Sequence, residues 1–185
     1  MIKRFLDVLR KVSKEHKNPN LYGMVLMAAS LGMRFGEIAD LKWKNVDFEN
    51  RLITLEATKN NDIRVLPIPD QLYAFLQTKR GLSNNDEEYV FPSKNPSKRY
   101  PYSMIRKAFQ AVLKQLGLED VVFHSLRHTA ASHLAMSGAT QGELMEVLGH
   151  RSPIMTRRYA HFNKTHLAKL LQKTNNHLIE AENES

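Results

Sequence analysis

Residues Leu21–Leu31 (Leu-Tyr-Gly-Met-Val-Leu-Met-Ala-Ala-Ser-Leu) are apolar on nearly every side, and this segment constrains the fold more than any other. It is too short to cross a bilayer and has no side suited to water. A helix of this kind belongs at the centre of a core. Before it, Ile2, Phe5, Leu6, Leu9 and Val12 recur at helical spacing, and the polar stretch Ser13–Asn20 closes that helix. A later stripe of Met104, Ile105, Ala108, Phe109, Val112, Leu113 and Leu116 predicts a helix over 103–116, with Gly117 as its stop. The chain has 185 residues, 42% of them hydrophobic, enough for one domain with a sizeable core.

Between these helices the period changes. Trp43, Val46 and Phe48, then Leu52–Leu55, then Ile63–Ile68 read as three short strands of a small antiparallel sheet. The Asn and Asp residues of 57–62 suit a tight hairpin turn with Lys59 near its tip. A helix is expected from Asp70 to about Thr78, then a polar linker over 81–88 and an irregular basic segment over 93–102. In the last third, Gly138 ends one helix, Thr140 and Glu143 form a capping-box pattern for the next, and Gly149 ends that one. Ser152-Pro153 opens a final short helix that is expected to carry Tyr159 nearly two turns in. The fold class is therefore α+β, mainly helical, with a small three-stranded antiparallel sheet.

There are 27 Lys and Arg against 19 Asp and Glu, a formal net charge of +8, which favours a polyanionic partner. The lack of cysteine excludes a disulfide scaffold, a thiolate nucleophile and Cys-ligated zinc. Met1–Asp7 interleaves charge with apolar residues, unlike a signal peptide, so a soluble, cytoplasmic protein is expected with no membrane partner. Neither a Walker-type loop nor a GxGxxG fingerprint occurs, which argues against ATP or dinucleotide use. His124, His128 and His133 could be read as zinc ligands, but no His-Glu-x-x-His pattern is present and Arg127 beside them would repel a cation. No metal and no cofactor is expected.

The polar residues that carry chemistry are Arg34 and Glu37, one helical turn apart; His124-Ser125-Leu126-Arg127-His128; Leu148-Gly149-His150; and Arg157-Arg158-Tyr159-Ala160-His161. Cleaving a phosphodiester with a protein nucleophile requires an attacking oxygen, positive charge on the non-bridging oxygens, a base, and an acid for the leaving oxygen. Arginine suits the phosphate because its planar fork stays charged and bonds two oxygens at once.

Leu31-Gly32-Met33-Arg34-Phe35-Gly36-Glu37 resembles the first arginine motif of tyrosine recombinases, the phage integrase family. The His124 to His128 box, the Leu148-Gly149-His150 element and the segment around Tyr159 resemble the family's later motifs, in the same order. The resemblance implies the DNA breaking-rejoining fold and site-specific recombination. Tyr159 would attack the scissile phosphate to give a 3′-phosphotyrosyl bond, Arg34 and Arg127 would hold the phosphate, and Lys59 would protonate the departing 5′-oxygen. His124 would transfer a proton or donate to the phosphate, His150 would donate to it, and Glu37 and His128 would support the site. Lys94, Lys98 and Arg99 would touch DNA phosphates.

The resemblance also implies double-stranded DNA as partner and self-association as a tetramer on DNA, with the C-terminal tail exchanged between subunits. Residues 1–162 would be the catalytic domain and 163–185 a partly helical tail with a disordered end. The helical DNA-binding domain that usually precedes the catalytic one is expected to be missing from these residues. Two other readings stand beside this one: DNA relaxation of the type IB topoisomerase kind, and a non-catalytic DNA-binding regulator that retains the fold.

Overall fold

The computed structural model describes residues 2–15, 18–56, 63–83, 85–95, 97–118, 120–150, 152–157 and 159. The chain divides into two compact units, 1–128 and 129–185. In the first, helix α2 (Leu21–Leu31) is packed against α1 (Ile2–Glu15), α3 (Phe35–Ala39), α4 (Asp70–Arg80) and α5 (Tyr102–Leu116), as its all-round apolar surface requires. Its start is held by Asn18, whose side-chain oxygen accepts from the backbone N–H groups of Asn20 and Leu21. Its end is set by Gly32, which takes the left-handed conformation at φ 63° and returns its N–H to Ala28 O. Phe5, Phe109, Phe123 and Phe35 continue the core as a chain of edge-to-face rings.

Gly23 lies in the middle of α2, where helix propensity would favour alanine. A Cβ there would fall 2.3 Å from Phe75 Cζ and 2.7 Å from Phe91 Cε1. Those rings are stacked on each other, and Phe75 also meets the edge of Tyr22, so they have little room to yield. Overpacking costs about 1–3 kcal/mol, against a helix-propensity gain of about 1. Because the Cβ would clash with two rings at once, the overpacking cost falls at about 2–3 kcal/mol, and Gly23→Ala is expected to lower stability by about 1–2 kcal/mol in urea unfolding. An unchanged or raised midpoint would contradict this packing.

The sheet is three-stranded and antiparallel, in the order β1 (Val46–Asp47), β2 (Leu52–Leu55), β3 (Arg64–Pro67). Ile53 pairs with Leu66, and both are buried. Pro67 is tolerated because β3 lies at the sheet edge. The first strand is shorter than expected. Trp43–Asn45 forms a single 3-10 turn, because the N–H groups of Trp43 and Lys44 are bonded to the carbonyls of Glu88 and Asp86 in the segment after α4. Helix α4 also runs past Thr78, to Arg80.

The second unit comprises the remainder of α6 (Ser125–Met136) with α7 (Gln141–Leu148) and α8 (Pro153–Arg157). Ala131, Ala135, Leu144, Leu148 and Tyr159 form its core. The capping box at α7 is present: Thr140 Oγ1 accepts from Glu143 N at 3.2 Å, and Glu143 Oε2 accepts from Thr140 N at 2.6 Å. The Thr140 N–H, together with the Thr140 hydroxyl that donates to the same Oε2 at 2.8 Å, holds the Glu143 carboxyl below its ordinary value. Tyr159 is not inside a helix, as the sequence suggested. Helix α8 ends at Arg157, and Tyr159 lies in a turn whose N–H is bonded to Thr156 O at 3.0 Å. The expected tail, 163–185, lies outside the described residues, as does His161.

Candidate active site

Arg34 is the residue that caps α3, with extended backbone (φ −73°, ψ 152°), rather than a residue within that helix. An arginine side chain has no acceptor to offer the exposed N–H groups of the first turn. Glu37 acts from the other side, its Oε2 accepting from Arg34 N at 2.7 Å and its Oε1 from Arg34 Nη1 at 2.9 Å. Glu37 thus fixes both the backbone and the guanidinium of Arg34. A third group completes the cluster: Arg64 of β3 donates from Nη2 to Glu37 Oε2 at 2.8 Å. Arg34 is 44% exposed and Arg64 only 10%.

Arg127 is in the first turn of α6 and is just 4% exposed. Its Nη1 donates to Gly32 O at 2.6 Å, two residues before Arg34 in the chain. The fold therefore brings together the two segments that carry the arginines, although 95 positions separate the bonded residues. The left-handed turn at Gly32 presents that carbonyl. His124 directly precedes α6 and is exposed, and its ring meets that of the half-buried His128 edge-to-face at 5.0 Å. Among the described residues, no group of three or more His, Asp or Glu is arranged to hold a metal ion.

His150 and Tyr159 belong to the second unit. His150 follows the left-handed Gly149 (φ 61°), and its N–H is bonded to Met145 O at 3.0 Å, so its backbone is fixed by the end of α7. Tyr159 is 5% exposed and packs among Ala131, Ala135, Leu144 and Leu148. Lys59 lies outside the described residues. Lys94, Lys98 and Arg99 are exposed, and Arg99 spans both oxygens of Asp40, just after α3, at 3.0 and 2.9 Å. That pair ties the basic segment to the end of the arginine motif.

A sequence model of the phage integrase family matches residues 2–166. The chain belongs to that family. The prophage phiRv2 integrase of Mycobacterium tuberculosis is 31% identical over 188 residues, covering 91% of this chain and 50% of that protein. In three dimensions the chain resembles the XerA recombinase, with TM-score 0.70 and 25% identity over 92% of this chain and 62% of that one. It likewise resembles the catalytic domain of bacteriophage HP1 integrase, with TM-score 0.65 and 28% identity over 92% of this chain and 89% of that one. The chain spans about half the length of the curated relatives it matches.

The mainly helical α+β fold with its three-stranded sheet is that of a tyrosine recombinase catalytic domain. Within this phage integrase member, Arg64 was not singled out from the sequence. A signal for it was present, since Arg64 shares a strand face with Leu66 two residues on, the face that is buried. What the pattern does not show is the partner that accepts this inward charge, Glu37 of α3. No described helix is long and apolar enough to cross a membrane.

Proposed function

We propose that this chain is the catalytic part of a site-specific DNA recombinase that cleaves and rejoins strands through a 3′-phosphotyrosyl intermediate at Tyr159. The observation that carries the reading is the Arg127–Gly32 bond, which joins the His-x-x-Arg box to the first arginine motif in a chain of the phage integrase family. Arg34 and Arg127 bind the scissile phosphate and offset the charge that grows on it. His124 takes the proton that Tyr159 loses on attack or donates to the phosphate, His150 donates to the phosphate, and Lys59 protonates the leaving 5′-oxygen. Glu37 and His128 support the arginines. Religation runs the same steps in reverse, so the bond energy is kept in the protein linkage and no nucleotide is consumed.

The partner is double-stranded DNA, with Lys94, Lys98 and Arg99 touching backbone phosphates and giving salt-dependent affinity. Strand exchange requires several active sites at once, so the protein assembles on DNA as a tetramer, with residues 163–185 exchanged between subunits. The compartment is the cytoplasm, where the DNA lies.

The test uses a random-sequence pool of nicked duplexes, in which cleavage beside the nick lets the short strand diffuse away and traps the adduct. Protein-linked DNA is recovered under denaturing conditions and sequenced. The expected result is a covalent adduct, enriched for one sequence and formed equally well in EDTA. Recovery of no covalent DNA from the pool, or an adduct that requires a divalent cation, would contradict the reading. Relaxation of a supercoiled plasmid without sequence preference would point instead to topoisomerase activity.

A further inference from the structure

We infer that Arg64 is a positioning residue for the phosphate-binding arginine, acting through Glu37; this rests on the proposed role of Arg34. The Glu37 carboxylate faces two guanidiniums. Its Oε1 accepts from Arg34 Nη1, while Oε2 accepts from the Arg34 backbone N–H and from Arg64 Nη2. Arg64 holds the Oε2 end of the carboxylate while Oε1 meets the Arg34 guanidinium, so the orientation of Glu37, and through it that of Arg34, depends on the Arg64 bond. The second cation also keeps the three-residue cluster net positive, as an incoming phosphate requires.

Burial supports a role beyond stability. Arg64 is 10% exposed and lies on the strand face it shares with the buried Leu66. Its Nε is buried with no hydrogen-bond partner among the described residues. An apolar side chain would fill that position without the desolvation of a guanidinium or the loss of one of its hydrogen bonds. The one bond Arg64 makes to Glu37 is what an apolar residue could not supply. Arg64 also opens the strand that follows 57–62, so it links the sheet to the start of α3.

The test is a double-mutant cycle on single-turnover adduct formation, using a nicked duplex recovered from the pool. It compares Arg64→Met, Glu37→Gln and the double variant, with DNA affinity and a melting curve for each. Arg64→Met is expected to slow adduct formation about tenfold with DNA affinity unchanged, because only the orientation of Arg34 is lost. In the Glu37→Gln background the same change is expected to have no further effect beyond about twofold. Arg64→Lys, which keeps a cation opposite Oε2, recovers most of the rate.

A folded Arg64→Met that cleaves at the normal rate, or an effect that multiplies with that of Glu37→Gln, would overturn the inference. Should Arg64→Met fail to fold, Arg64→Gln takes its place in the cycle and is judged in the same way. An Arg34→Ala arm separates the two levels of the claim. Normal cleavage by Arg34→Ala overturns the role of Arg34 itself, whereas loss of cleavage there with a normal Arg64→Met overturns only the coupling.

Discussion

Tyr159→Phe is expected to lose the covalent protein–DNA adduct while remaining folded and still binding DNA. The loss should be on the order of 10³-fold or more, because removing the nucleophile removes the reaction path rather than one contributor to it. The ring is 5% exposed within the core made by Ala131, Ala135, Leu144 and Leu148, and phenylalanine keeps that packing. Stability should therefore change by no more than about 1 kcal/mol, the scale of a single hydroxyl. The comparison is a denaturing gel for the adduct beside a melting curve for the fold. A non-catalytic DNA-binding protein would give no adduct from either form and identical salt-dependent binding from both.

Arg127 should affect both fold and chemistry, and two substitutions separate these effects. Arg127→Ala removes a buried side chain and leaves Gly32 O without the donor now 2.6 Å away. A cost of about 2–4 kcal/mol is expected from the lost packing and the lost charged hydrogen bond. Arg127→Lys keeps the stem and the charge but not the planar fork. It should unfold at a midpoint nearer to wild type while adduct formation falls about 10²-fold or more. If folded Arg127→Lys cleaved at the wild-type rate, Arg127 would be a structural tie between α6 and Gly32 and not a phosphate ligand.

The parts of the fold that were legible in the sequence are those where one local rule operates alone. Helix α2 has the expected bounds, Leu21–Leu31, because its composition leaves no face for water. The Thr140–Glu143 cap and the left-handed Gly117 and Gly149 stand where the stop and start signals put them. The differences arise where distant segments decide. Trp43 leaves the strand because the carbonyls of Glu88 and Asp86 take its N–H and that of Lys44, a pairing no local pattern encodes. Tyr159 stands in a turn, its N–H bonded to Thr156 O, and its ring is buried among Ala131, Ala135, Leu144 and Leu148. The chemistry-bearing residues were found through their motifs, but the contacts among them were not. That Arg127 reaches Gly32, that Arg64 reaches Glu37 and that Arg99 reaches Asp40 depends on tertiary packing.

The central claim is that Tyr159 becomes bonded to DNA. It is tested most directly by digesting the purified adduct with nuclease and trypsin and locating the nucleotide-bearing peptide by mass spectrometry. Trypsin cuts after Arg158 and Lys164, so the nucleophile lies in Tyr159-Ala-His-Phe-Asn-Lys164, a peptide with a single tyrosine. The account predicts a nucleotide attached through its 3′-phosphate to Tyr159. A nucleotide found on any other residue, or linked through a 5′-phosphate, would contradict it.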